Sequence, residues 1–207
     1  MSDKSVLPIT ARAGGVNSQL ALVDSVLNKT CVATLVKIVA VATPENNGMV
    51  GAVDVQPLVN QVDGDGNAIP HGVIFGLGYF RAQGGLNAII LDPEVGDIGL
   101  AVFAHNDIST VKSTRSQANP GSYRRNDWSD GIYVGGLLNS TPTQYVKFGT
   151  DGITLMSPTK VTIHAPETDI IGKTVHTGQV WMNGKQVDET HLHTNVQPGS
   201  GISGDVF

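Results

Sequence analysis

Residues 146–163 read VKFGTDGITLMSPTKVTI, and this stretch decides the fold of the second part of the chain. Apolar and polar residues alternate over short segments, as in β-strands, whose successive side chains point to opposite faces. The segments between them, GTDG and SPTK, are rich in turn-forming residues. The pattern continues to Val187, with APET and NGK as further turns. The paired apolar residues are Val146 and Phe148, Ile153 and Leu155, Val161 and Ile163, and Val180 and Met182.

These short strands carry too few apolar side chains to hold a sheet together within one chain. Each contributes about two inward-facing residues, and a sheet that small is at best marginally stable in water. We therefore expect another surface to cover them. Three copies of the chain, with their strands wound around one axis, would bury all of these residues, which predicts a homotrimer. The alternative is a second small sandwich packed on the first domain.

Before residue 141 the chain has longer strands and one helix. Over Val16–Leu27 apolar residues recur at spacings of three and four, which predicts an amphipathic helix within segment 1–28. Over 29–140, runs rich in Val, Ile and Ala alternate with Pro, Gly and Asn clusters and predict five or six strands, which suit a small barrel. The runs are CVATLVKIVAVAT, VGAVDVQPLV, HGVIFGLGYF, NAIILD and DIGLAVFAH. The expected fold class is mainly β.

The C-terminal segment 189–207, ETHLHTNVQPGSGISGDVF, contains the histidines His191 and His193. Residues two apart in an extended chain point to the same side, so both imidazoles can face a threefold axis while Leu192 faces away. Three chains would then offer six nitrogen ligands. Six ligands favour an octahedral ion such as Fe²⁺ over zinc, whose structural sites are tetrahedral. The alternative is a pair of surface histidines without a metal.

Composition and charge narrow the function. The 207 residues are 40% hydrophobic with a formal net charge of -5, so the chain lacks the basic surface of proteins that bind nucleic acid or anionic lipid by charge. The start of the chain lacks the apolar core of a signal peptide, and the longest apolar run, Val32–Ala42, is short and interrupted by Lys37. We expect no signal peptide and no membrane span. The single Cys31 excludes a disulfide framework and is expected to be a buried, inert thiol.

Several stretches resemble the central spike, or membrane-piercing, proteins of contractile-tailed bacteriophages and phage-tail-like bacteriocins. The end of the chain, VWMNGKQVDETHLHTNVQPGSGISGDVF, is similar to the tip of these proteins, where an Asn-Gly turn and a short strand lead to a T-H-x-H-T element. AVDVQPLV, DPEVGDIGLAVFAHNDI and SDGIYVGGL are similar in order and spacing to their barrel domain. The resemblance covers roughly Val16–Gly204. The chain departs from the family at its end, where Ser203, Gly204 and Asp205 replace a Gly-Pro-Pro type element.

The resemblance implies a fold and a function. It implies an N-terminal OB-fold barrel as a collar over 29–140, a triple-stranded β-helix over 141–188 and an apex over 189–207. His191 and His193 of three chains would hold one iron ion per trimer, and calcium and chloride ions occur inside the β-helix of some relatives, although no residue here matches a motif for either. The implied protein belongs to the virion tail tip, contacts a baseplate hub protein through its collar, binds no nucleic acid and pierces the host outer membrane.

Other candidate sites have a simpler structural reading. The sequence DGDGNAIPHGVI starts like a calcium loop at Asp63, Asp65 and Asn67, but Ala68 stands at the required glycine and Ile74 at the required glutamate, so a hairpin turn is predicted. Two further histidines, His164 and His176, are expected to face solvent. A basic-aromatic cluster is expected to be either a loop packed on the collar or a protein contact. It comprises Tyr123, Arg124, Arg125 and Trp128.

No enzyme activity is expected. The chain has four glutamates, and no serine or cysteine lies in a recognisable nucleophile context, so wall-degrading chemistry is not indicated. The alternative from another class is a metal-dependent, cupin-like enzyme that uses His191 and His193.

Overall fold

The computed structural model describes residues 14–27, 30–42, 50–63, 65–187 and 199. The chain divides into two compact units, residues 1–142 and 143–207. In the described residues, the first unit contains a closed β-barrel, and the second contains short hairpins. No helix in these ranges is long and apolar enough to cross a membrane.

Helix α1 (Gly15–Leu27) confirms the predicted helix. Its first turn is held by Ser18, whose amide and hydroxyl both donate to the Gly14 carbonyl oxygen at 3.1 Å. Ala21 is its buried residue, and the apolar residues that were expected to form one face are exposed. They are Val16, Leu20, Val23 and Leu27.

The first unit confirms the prediction of a small barrel. Its described strands are β1 (Ala33–Ala42), β2 (Ala52–Pro57), β3 (Gln61–Val62), β4 (Ala68–Ile69), β5 (Ile74–Tyr79), β6 (Ala82–Gly84), β7 (Asn87–Ile89), β8 (Ile98–Phe103) and β9 (Gly131–Gly136). Strands β1, β2, β5, β9 and β8 close into a barrel in that order. Neighbouring strands of the barrel are antiparallel, except for β5 and β9, which are parallel. Strands β3 and β4 form one short hairpin and β6 and β7 another.

Side chains from alternate strand positions fill the interior of the barrel. In β2, Val53 and Val55 are buried, and in β8, Ala101 and Phe103 are buried. Burying a large apolar side chain contributes about 1.5–3 kcal/mol. The other buried members of this core are Val36, Ile38, Ile74, Leu77, Tyr79 and Tyr133. The barrel therefore completes a hydrophobic core within one chain.

Gly131 lets the start of β9 pass close to this core. A Cβ atom here would lie 2.8 Å from side-chain atoms of Leu77 and Phe103, well inside ordinary carbon–carbon contact distance. The backbone of Gly131 is otherwise ordinary, with φ of -88°. The glycine is therefore required by packing rather than by its backbone conformation.

The connection between β8 and β9 packs on the barrel. It contains helix α2 (Ser109–Thr114) and a 3-10 turn at Trp128–Asp130. The Trp128 ring lies 4.5 Å from the ring of His71 and 5.7 Å from that of Phe103, measured between centroids. Trp128 of the predicted basic-aromatic cluster therefore packs on the barrel, whereas Tyr123 of the same cluster is exposed.

In the described part of the second unit, two antiparallel hairpins are formed. Strand β10 (Tyr145–Gly149) pairs with β11 (Gly152–Met156), and β12 (Trp181–Met182) pairs with β13 (Lys185–Gln186). The predicted turn in NGK is formed by residues 183–184, an asparagine and a glycine with φ of 52° and 74°. Left-handed values at both positions match the twist of the flanking strands, which is why Asn-Gly favours a two-residue hairpin.

Residues 157–180 contain neither helix nor strand, so the predicted strand through Val161 and Ile163 is not formed within one chain. A strand needs a neighbour to exchange backbone hydrogen bonds with. A stretch of this length without structure of its own is uncommon in a compact domain. The mainly β fold is confirmed, whereas the triple-stranded β-helix and the homotrimer stay predictions.

Candidate functional site

The β10–β11 hairpin has one face that is entirely apolar. In its cross-strand register Val146 lies opposite Leu155, and Phe148 lies opposite Ile153. Because side chains alternate along a strand, these four lie on the same face. The neighbouring Lys147 lies on the opposite face. We call these four residues the hairpin face.

Nothing in the described part of the chain covers the hairpin face. Phe148 remains 77% exposed and Ile153 69% exposed, and the other two members are also exposed. Cross-strand apolar pairs contribute roughly 0.2–1 kcal/mol each, which is small against the entropy of ordering the hairpin. A contiguous apolar surface of this kind is typical of a protein–protein contact.

Apolar side chains are also exposed in the rest of the described second unit. Between the two hairpins and within the second, the large apolar side chains in the described residues remain on the surface. They are Val161, Ile163, Ile170, Ile171, Val175, Trp181 and Met182. The predicted inward-facing residues are thus apolar, close in sequence and unburied in a single chain.

The predicted iron ligands His191 and His193 lie outside the described residues. Within the described ranges, no group of three or more His, Cys, Asp or Glu residues is arranged to hold a metal ion. His164 and His176 are exposed, as predicted.

The calcium-like sequence forms the predicted hairpin turn. One carboxylate oxygen of Asp63 accepts hydrogen bonds from the amides of Asp65 at 3.0 Å and Asn67 at 2.8 Å. The other accepts from the side-chain amide of Asn67 at 3.0 Å. This carboxylate therefore shapes the turn between β3 and β4.

Arg124 joins two buried carboxylates in the β8–β9 connection. Its guanidinium donates to Asp130 at 2.7 and 2.9 Å and to Asp107 at 2.9 Å. Asp107 also accepts from the hydroxyl of Ser122 at 2.7 Å and the amide of Ser109 at 2.8 Å. The ion-pair network therefore fixes the start of this connection to its end.

The network lowers the pKa of both carboxyl groups. Hydrogen bonds from Ser109 and Ser122, together with the charge of Arg124, lower the pKa of Asp107 to about 2. Hydrogen bonding to Arg124 is the main cause that lowers the pKa of Asp130. In turn, Asp130 is the main cause that raises the pKa of Arg124. Both carboxylates are therefore charged at neutral pH, as a structural ion-pair network requires.

A cleft of about 350 Å³ opens on the barrel between the end of β5 and the end of β9. At the cleft the Arg81 side chain, only 4% exposed, donates to Asp92 at 3.2 Å. The Tyr79 hydroxyl donates to the same carboxylate oxygen at 2.6 Å. Burial and this bond to Asp92 raise the pKa of Tyr79. Asp97 also lines the cleft.

Tyr133 lines the cleft from β9 and is almost fully buried. Burial is the main cause that raises its pKa, followed by the nearby charge of Asp97. Its hydroxyl has no hydrogen-bond partner among the described residues. Sequence analysis missed this cleft because Arg81 directly follows one predicted strand and Asp92 ends the next, and no motif links the two residues.

Cys31 is less buried than expected. It packs against the barrel core but remains half-buried, and its thiol lies 3.8 Å from the carbonyl oxygen of Ala33. Partial burial raises its pKa. The expectation of full burial was wrong because Cys31 precedes β1 and lies at the margin of the barrel. A raised pKa still fits an unreactive thiol.

No protein-family model matches this chain, and no curated protein is significantly similar to it.

Proposed function

We propose that this protein is the homotrimeric central spike of a contractile phage tail or a phage-tail-like bacteriocin, which pierces the outer membrane of the host cell. One observation carries the proposal: the apolar residues of the second unit, above all the hairpin face, are uncovered in a single chain. Three copies around one axis would bury them against each other. The sequence resemblance to spike proteins points to the same assembly.

The barrel fits the role of a collar. Its strand order, with one parallel pair in a closed five-stranded barrel, is compatible with an OB-fold. Its interior is packed with side chains such as Val55 and Leu77, so it acts as a rigid body. A rigid collar can transmit an axial force from a baseplate hub protein to the rest of the spike.

The second unit fits a triple-stranded β-helix. Residues 157–180 combine exposed apolar side chains with a lack of strand partners in their own chain. Strands from two further chains would supply both the backbone hydrogen bonds and the apolar contacts. Each fully buried Phe, Ile or Leu would then stabilise the assembly by about 1.5–3 kcal/mol. Each chain of the trimer would make this contribution.

The apex would be tied by iron. The donor set fits, since His191 and His193 supply two imidazoles per chain and six per trimer, the number that an octahedral ion accepts. Bound iron would hold three chain ends together, so that opening the tip requires several bonds to break at once. The histidines must be neutral to act as ligands, and they have no catalytic role in this proposal.

The enzyme alternative has less support. Cupins are eight-stranded jelly rolls, whereas the described barrel has five strands and an interior filled with apolar side chains. Nothing in the described residues favours metal-dependent turnover over a structural role.

Two measurements, one on intact particles and one on the purified protein, test the proposal. Contractile particles from cells that encode the chain are labelled with antibody against it and viewed by electron microscopy, and the purified protein is analysed for iron. We expect label at the tail tip and one iron ion per three chains. Label along the sheath, or no label on particles at all, contradicts the spike function. One metal ion per chain would favour the enzyme alternative.

A further inference from the structure

We infer that the collar units of neighbouring copies contact each other head to tail, with a basic loop of one copy seated in an acidic cleft of the next. The basic loop comprises residues 104–126, and the acidic cleft is the cleft beside Arg81 together with residues 92–97. This inference rests on the homotrimer proposed above and adds the surface by which the collars meet.

The basic loop reverses the charge of the chain. The whole β8–β9 connection, residues 104–130, contains the cations Lys112, Arg115, Arg124 and Arg125 and the acids Asp107, Asp127 and Asp130, which gives a formal charge of four minus three, or +1. Arg124 is bonded to the buried Asp107 and Asp130. The other three cations are exposed and lie within the basic loop. The whole chain carries -5. The cations are therefore concentrated in one short stretch of a protein that is otherwise acidic.

The shape of the basic loop is fixed before any contact is made. Arg124 ties it to Asp107 and Asp130, as described above. The backbone of Arg125 forms a β-bridge with Asn106. On this frame Tyr123 is fully exposed, at 104%. A rigid aromatic side chain beside arginines is typical of residues that anchor protein interfaces, because little entropy is lost when they are buried.

The acidic cleft has the complementary chemistry. Asp92, Glu94 and Asp97 outnumber Arg81, which gives one minus three, or a formal charge of -2. Exposed apolar side chains surround these carboxylates: Phe80, Ile89 and Leu91 line the same cleft. A cleft with acidic groups and apolar walls suits a cationic or aromatic side chain of a partner, since the stems of such residues are apolar and their ends are polar.

The basic loop and the cleft are different patches of the barrel surface. The loop leaves β8 after Phe103, which pairs with Gly131, whereas β9 lines the cleft from Tyr133 to Gly136. No residue of 104–126 is among the residues that line the cleft. A contact between two different, complementary patches is heterologous, and repetition of it closes a ring when the rotation fits, as in a trimer.

Zero-length cross-linking of the full-length protein tests this contact. A carbodiimide joins carboxylates to lysine amines that touch, and Lys112 is the lysine of the basic loop. We expect cross-linked dimers and trimers on a denaturing gel, with peptides from 104–126 joined to peptides from 92–97. Lys112→Arg keeps the charge but removes the amine, so this link should be lost. The matched control Lys147→Arg, in the second unit, should retain it.

The outcomes separate the two proposals. A protein with trimer mass but no link between loop and cleft overturns the head-to-tail contact and leaves the spike proposal intact. A monomeric protein overturns both.

A charge-swap cycle gives a second, independent measurement. Arg125→Glu and Glu94→Arg should each lower the midpoint of thermal unfolding of the collar, by roughly 4 °C, and the double variant should recover most of the loss. Asp65→Lys, on the β3–β4 hairpin, is the matched control and should change it little. Additive losses in the double variant would mean that the two residues do not face each other.

Discussion

The two units treat their apolar residues in opposite ways. In the barrel Val36, Val55 and Leu77 are completely buried. In the second unit Phe148 and Ile163 remain more than two-thirds exposed, at 77% and 72%. Both units have strands that alternate apolar and polar residues, so the difference does not lie in the pattern of single strands. It lies in whether the chain supplies enough strands to enclose a core.

This difference separates the apolar side chains that one chain encloses from those that it leaves exposed. Five strands close a barrel and leave no open edge. Isolated hairpins leave both edges and one apolar face uncovered.

The largest effect is expected from a charge on the hairpin face. In a trimer Phe148→Asp would bring three carboxylates into an apolar interior, and burying unpaired charges is very costly. We expect complete loss of the trimer, measured by light scattering. The matched control is Lys147→Asp on the opposite face of β10, which should leave the trimer intact. Equal behaviour of the two variants would show that the assignment of faces is wrong.

A cavity in the barrel core should have a smaller and more local effect. Leu77→Ala should cost about 2–5 kcal/mol of stability. The two tryptophans allow the units to be followed separately, since Trp128 lies in the first and Trp181 in the second. In the Trp181→Phe variant the tryptophan fluorescence comes from Trp128 and follows the first unit. In the Trp128→Phe variant it comes from Trp181 and follows the second unit. We expect Leu77→Ala to shift mainly the Trp128 signal, and an equal shift of both signals would mean that the units unfold together.

Acid should lower the stability of the first unit, because it protonates a carboxylate of the ion-pair network. The pKa of Asp107 is lowered to about 2 in the folded protein, compared with about 3.9 in an unfolded chain. A lowered pKa stabilises the fold above the unfolded value, and this contribution is lost as the pH falls through the folded value. The free energy of unfolding that Trp128 fluorescence reports should therefore fall as the pH is lowered from about 4 to about 2. The Asp107→Asn variant should be less stable than the unaltered protein at pH 7, and its free energy of unfolding should change less between about pH 4 and about pH 2. If the variant shows the same change with pH as the unaltered protein, Asp107 is not the source of the acid sensitivity.

The smallest effect on the fold is expected at the predicted apex. His191→Ala combined with His193→Ala should abolish iron binding, which elemental analysis measures. The Trp128 and Trp181 transitions should stay close to those of the unaltered protein, because the barrel and the hairpins do not depend on these side chains. Retention of iron by the double variant would contradict the assignment of the ligands.

The sequence predicted local features well where each residue acts through its immediate neighbours. Runs rich in Val, Ile and Ala identified β2 and β8, Asn183 and Gly184 marked a hairpin turn, and Asp63 was correctly placed in a turn rather than a calcium loop. The parallel pairing of β5 with β9 could not be predicted, because it depends on how the barrel closes. The buried Arg81 was missed because its partner Asp92 lies across the β6–β7 hairpin, which was not predicted from the sequence. The strand predicted at Ile163 is not formed, because residues 157–180 have no partner strand among the described residues.

The molar mass of the full-length protein in solution tests the central claim most directly. Light scattering at micromolar concentration should give about 65 kDa, three times the chain mass of 21.7 kDa, and the value should persist on dilution. A folded protein of 21.7 kDa would contradict the account, because the apolar residues of the second unit would then be stable in water without a partner.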